Sequence, residues 1–201
     1  MNSFYLVCFT SMSSVSNLGR LIGDVKVVWE RDTNDMILLE DFSYLSPEDL
    51  EGNAREYLWT APKGAKTDGA SIPQIFWTFG HPFEAPYRAA AVLHDHECRV
   101  RQRPWPAVHK MFYLACLCGG VNPSKAKLMY WAVSNYGPEG GSYQDRDVPL
   151  ARIDYLVPAG EGAEQIDGSS LRMPTLSEIH SIQQQLEASD IPVEVVPGLK
   201  P

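Results

Sequence analysis

Thr67-Asp68-Gly69-Ala70-Ser71-Ile72-Pro73 and, sixteen residues further on, Ala89-Ala90-Ala91-Val92-Leu93-His94-Asp95-His96-Glu97-Cys98 decide how this chain is read. The first stretch packs an acid, a glycine, a hydroxyl and a proline into seven residues. The second places an imidazole and a carboxylate inside an apolar helical run. Polar groups buried in such a run cost free energy unless they meet partners, so His94 and Asp95 need a structural or chemical reason to be there.

At helical spacing His94 and Cys98 share a face, with Glu97 close to it, while Asp95 is turned by about 100° and His96 points the opposite way. Arg103-Pro104-Trp105-Pro106 interrupts the helix, because proline cannot continue one and restricts the residue before it. The short connection implies an antiparallel helical hairpin, in which His94 falls at the level of His109 to Phe112. His109 can therefore approach His94.

Three uses of these residues follow. His94 can be a general base that activates water or a hydroxyl, with Asp68 or Asp95 orienting the ring or holding a divalent cation. His94 and His109, with Asp68 or Cys98, can bind a transition metal, although no H-x-x-x-H pair is present. The plain alternative is a hydrogen-bonded core histidine that ties the Thr67–Pro73 loop to the helix. Ser71 is either a helix N-cap or a nucleophile with His94 as its base, but the G-x-S-x-G elbow is missing. Phe76, Trp77, Phe79 and Phe83 read as core or as the lining of an apolar cleft.

Outward from this centre, the pattern is α+β: a small antiparallel sheet followed by a three-helix segment. Asp24–Glu30 and Met36–Tyr44 read as strands joined at Asp32-Thr33-Asn34-Asp35, and Glu56–Thr60 reads as a third, stopped by Ala61-Pro62-Lys63-Gly64. Helices are expected over Glu84–Val100, Ala107–Leu117 with a C-cap at Gly119-Gly120, and Lys125–Asn135 opened by Pro123. Beyond Gly140 the composition turns to Gly, Asp, Glu and Pro. One amphipathic helix is expected over Leu176–Leu186, and Pro192, Pro197 and Pro201 predict an extended end. The resulting division is an N-terminal extension (1–19), an α+β core (20–141) and a C-terminal extension (142–201).

The 201 residues carry a formal net charge of −8, with 44% hydrophobic and 21% charged residues. That balance fits a soluble globular protein and argues against a general nucleic-acid binder, which needs a basic face. Arg99, Arg101 and Arg103 read as a solvated helix end. No apolar run reaches bilayer-spanning length, and the N-terminus lacks a secretory pattern, so a cytoplasmic site of synthesis is expected. Cys8, Cys98, Cys116 and Cys118 show no disulfide framework.

From about Met36 to Gly137 the chain resembles the family called domain of unknown function 1353. The resemblance rests on Ala61–Pro73, Phe76-Trp77 and Ala90–Asp95. It implies a phage or prophage origin, near tail or lysis genes, with delivery to a bacterial envelope or carriage in a virion. Members usually carry an acid where this chain has His109. More loosely, the helical hairpin resembles the two-helix core of bacterial phospholipases A2, which implies a His that activates water and an Asp that helps hold calcium. The leading expectation is a small hydrolase of an envelope component, peptidoglycan or phospholipid, with His94 as base, Asp95 and Asp68 as acids and Ser71 as helper. Its rivals are a phage accessory or tail-assembly protein, in which the same motifs form a latch and the C-terminal extension grips a partner protein, and a toxin or immunity partner that acts only by binding.

Overall fold

The computed structural model describes residues 17–31, 35–48, 50, 55–67, 85–137 and 174–201. Among the described residues, six short strands form two three-stranded antiparallel sheets, and four helices cover them. Strands β1 (Arg20–Ile22), β4 (Phe42–Ser46) and β5 (Tyr57–Ala61) make one sheet in the order β1-β4-β5. Strands β2 (Val27–Trp29), β3 (Met36–Leu38) and β6 (Lys66–Thr67) make the other in the order β2-β3-β6. The helices are α1 (Ala85–Val100), α2 (Trp105–Cys118), α3 (Pro123–Tyr136) and α4 (Leu176–Ala188).

The expected strand Met36–Tyr44 is two strands in two different sheets, and side-chain alternation explains the break. In a continuous strand Glu40 would face the same way as Leu38 and Phe42, both fully buried. The chain turns at Leu39–Asp41 instead. Glu40 is thrown outward to an ion pair with Lys26 (2.9 Å), and Asp41 accepts the Lys63 N–H (2.7 Å). The β2–β3 pair is the expected antiparallel one, with Val28 opposite Ile37, although residues 32–34 of its turn lie outside the described residues. The stop after β5 is a turn closed by Ala65 N–H to Pro62 C=O (2.9 Å). Gly64 occupies its positive-φ position (86°), which side chains disfavour.

The helix ends follow their local chemistry. Helix α2 starts earlier than expected because Pro106 fits the first turn, where its missing N–H is not needed. It ends as Gly120 takes φ 88° and Val121 N–H reaches back to Cys116 C=O (3.0 Å). The Asn122 side chain caps α3 by accepting from Ser124 N–H (3.0 Å) and Lys125 N–H (3.4 Å). Helix α4 opens with a capping box between Thr175 and Glu178.

The core lies between the sheets and the helices. Leu38, Phe42, Tyr44 and Trp59 meet Leu93, Met111, Phe112 and Trp131 there. The N-terminal edge is anchored where Tyr44 Oη donates to Leu18 C=O (2.7 Å). At Gly19, φ is 74° and an added Cβ would lie 2.1 Å from Leu45 O, so only glycine fits.

Residues 174–201 pack on the α+β core. Ile179, Ile182, Leu186 and Val196 are buried in the same cluster as Trp131. The end is not extended: Val196–Gly198 coils into a 3-10 turn against α3. Trp131 Nε1 donates to Leu199 C=O (3.1 Å), Asn135 Nδ2 to Pro197 C=O (3.0 Å) and Lys127 Nζ to Ile191 C=O (2.6 Å). Apolar periodicity along 176–186 marks the helix, but nothing local says which surface receives it.

Two outcomes follow. Ile182→Ala should cost about 2–5 kcal/mol, the usual penalty for emptying a buried aliphatic site. Deleting 174–201 should lower the melting temperature further, since it uncovers the α3 face around Trp131. Thermal denaturation by circular dichroism measures both, and an unchanged midpoint for the truncated chain would contradict this packing.

Candidate functional site

Helix α1 is buried on nearly every side. Every residue from Ala90 to Asp95 is buried, and Glu97 and Cys98 are buried as well. It packs on α2 and also on β4, β5 and β6. Its polar side chains must therefore find partners inside the protein.

His94 is 0% exposed, and its Nε2 lies 3.0 Å from Nδ1 of His109, which is 6% exposed. The approach of His109 expected from the antiparallel hairpin is present. Cys98 Sγ lies 3.7 Å from Nδ1 and 3.8 Å from Nε2 of His94, so the sulfur packs against the ring with only weak directional bonding. For the two rings, one assignment of protons has His94 Nε2–H donating to His109 Nδ1. Phe112 covers the His94 ring at 5.0 Å between centroids, and Trp105 stacks on His109 at 5.8 Å.

The electrostatics favour neutral groups throughout. Burial, followed by the neighbouring His109, holds His94 well below the ordinary histidine value. Burial alone takes His109 from 6.5 to about 4. The Cys98 thiol is pushed well up by burial and then by Asp95 and Glu97. Both imidazoles are therefore uncharged and the thiol is protonated near neutral pH.

Asp95 is 1% exposed and has a partner of its own. Its Oδ2 accepts from Thr67 Oγ1 at 2.5 Å, which ties the middle of α1 to the end of β6. Thr67 is the last described residue before the motif's remainder. Asp68 and Ser71 lie outside the described residues, as do Phe76, Trp77, Phe79 and Phe83. Glu97 is raised by burial and lowered by Arg103. The Arg103 guanidinium lies over the Tyr57 ring at 4.1 Å and near Trp59 at 5.2 Å, so it is a packed cation rather than the solvated helix end expected of it. Arg99 lies 3.9 Å from Asp35.

The four candidate catalytic residues thus fall into two pairs. His94 and Asp95 are both placed in the core of α1, on different partners; Asp68 and Ser71 fall outside the description. Among the described residues no group of three His, Cys, Asp or Glu side chains is arranged to hold a metal ion. Cys98, Cys116 and Cys118 are free thiols. No helix among the described residues is long and apolar enough to cross a membrane. Two participants were not visible in the sequence as partners. Thr67 binds Asp95 across 28 positions, which no local pattern announces. Trp105 lies four residues before His109, a helical spacing that could have been read as a stacked pair.

Fold and site together define an α+β protein built around a buried helical hairpin. Residues 36–133 match the family described as "Protein of unknown function (DUF1353)", in agreement with the resemblance carried by the motifs. Two curated relatives come from Sinorhizobium fredii (strain NBRC 101917 / NGR234). "Uncharacterized protein y4jT" is 44% identical over 103 residues, covering 51% of this chain and 29% of its own length. "Uncharacterized protein y4iH" is 37% identical over 162 residues, covering 79% of this chain and 65% of its own length. The chain therefore spans less than two thirds of either relative. No solved structure matches it.

The Thr67–Asp95 bond gives a direct test. Thr67→Val keeps the shape but removes a donor from a buried carboxylate, and should cost about 1–3 kcal/mol. Urea denaturation near neutral pH measures it. A variant as stable as the parent would mean that the bond contributes nothing.

Proposed function

We propose that the His94–Asp95 element is a structural latch, and that the protein acts by binding, as an accessory protein of phage or prophage type. The observation that carries this reading is the enclosure of both side chains. His94 is 0% exposed, with His109 at its Nε2 and the Cys98 sulfur against the ring, and Asp95 is 1% exposed and held by Thr67. A general base has to come within hydrogen-bonding reach of the proton that it removes. A ring enclosed by Phe112, Cys98 and His109 is placed to join α1 to α2, and Asp95 to join α1 to β6. The mobile-element setting comes from the family resemblance alone.

A second reading, hydrolysis of peptidoglycan or phospholipid, keeps two points in its favour. The imidazole pair is neutral near pH 7, the state that a base requires, and Asp95 is bonded to the residue that precedes Asp68. In this reading His94 is the base, Asp95 and Asp68 are the acids that orient it or hold a cation, and Ser71 assists.

His94→Gln separates the two. Gln keeps a hydrogen bond to His109 but cannot take up a proton near neutral pH. For a latch, stability should fall by about 1–3 kcal/mol, and the parent protein should release nothing from peptidoglycan or phospholipid vesicles. A variant that melts with the parent but loses a measurable envelope activity would establish the hydrolase instead.

A further inference from the structure

The histidine pair sits at the contact between two helices, and its hydrogen bond has a limited tolerance for protons. With both rings neutral, one N–H faces one lone pair across 3.0 Å. One added proton can still be shared between the rings, but it places a charge in a desolvated contact. A second leaves an N–H on each side and no acceptor, so the bond is lost and two like charges face each other.

Neither ring has a described acid among its hydrogen-bond partners. On α1, Asp95 is turned to Thr67, Glu97 interacts with Arg103, Cys98 is a neutral thiol and His96 is on the opposite face. Arg99 is directed to Asp35. On α2, Lys110 is paired with Glu48 at 3.0 Å, and the residues that cover the rings are Phe112 and Trp105. From β6 comes only the hydroxyl of Thr67. Both the charge and the bond geometry therefore work against a protonated pair.

We propose that the His94–His109 pair is an acid-operated release for the helical hairpin: proton uptake separates α2 from α1 and opens Cys98 to solvent. This rests on the latch reading and adds regulation to it. The direction follows from linkage. A histidine whose folded value lies below its unfolded value binds protons preferentially in the open state, so stability is complete above about pH 6.5 and is lost as pH falls. For His109 the loss runs from 6.5 down to about 4, where the folded state begins to take up the proton as well.

Two readouts in the full chain follow the event. Trp105 stacks on His109, so its fluorescence, taken as parent minus Trp105→Phe, should change as the ring gains charge. Cys98 is fully buried, and its labelling by 4,4′-dithiodipyridine, read by mass spectrometry on the Cys98 peptide, reports opening. Between about pH 7.5 and pH 4.5, labelling of the parent should rise roughly tenfold or more. The doubly substituted His94→Gln/His109→Asn chain keeps amides at both positions but cannot titrate there, and its labelling should stay near the neutral level. An equal rise in that variant, or no rise in the parent, overturns the proposal.

Should the double variant fail to fold, nuclear magnetic resonance titration of the parent imidazoles decides. A His109 that titrates near its ordinary value without Cys98 labelling also overturns it. The latch fails separately, if His94→Gln melts at the parent temperature near neutral pH. A flat pH response beside a destabilised His94→Gln would remove the acid release and leave the latch standing.

Discussion

Helix α1 has to satisfy polar side chains while buried on nearly all sides, and most of the structure is arranged around that requirement. A surface helix hides one apolar stripe and leaves the remainder in water. Here three directions supply partners instead. His109 comes from α2, Thr67 from the end of β6, and Arg103 from the connection between the helices. Each tie fixes a different neighbour. The hairpin register places His109, the short strand β6 is positioned by its pairing with β3, and Arg103 is held against Tyr57 and Trp59 of β5.

The same requirement explains why the two small sheets need each other. Neither three-stranded sheet has the extent to enclose a core by itself, and α1 contacts strands of both. The break between β3 and β4 lets one length of chain serve both sheets, with Leu38 and Phe42 inward and Glu40 outward. The opposite side of the helical layer is closed by α4 and the C-terminal turn, whose carbonyls take up the Trp131, Asn135 and Lys127 donors of α3. A helix that the sequence marks without saying where it docks thus supplies the final cover.

Enclosure also shapes the chemistry. Water stabilises charge, and its exclusion from the His94–His109–Cys98 chain keeps all three groups neutral near pH 7. Neutral groups in a fixed hydrogen-bonded order resist change until protons are forced on them. This supports a latch at neutral pH and a defined direction of failure in acid.

The sequence by itself determined the class and most of the local structure, because these depend on short-range rules. Helix boundaries near Pro106, Gly119-Gly120 and Pro123, the Pro62–Ala65 turn and the antiparallel β2–β3 pair all follow from residues close together in the chain. The approach of His94 to His109 was legible too, since a short connection leaves two helices little choice of register. Tertiary structure alone decided the rest. The split of Met36–Tyr44 between two sheets depends on which face of Glu40 meets the core. The inclusion of 174–201 in the core depends on a receiving surface on α3 many residues away. The bond from Thr67 to Asp95 joins groups 28 positions apart, and the enclosure of His94 depends on Phe112 and Cys98 packing around it. Periodicity reports which side of an element is apolar; only packing in three dimensions decides what that side meets, and whether a polar group among its residues is left open to water.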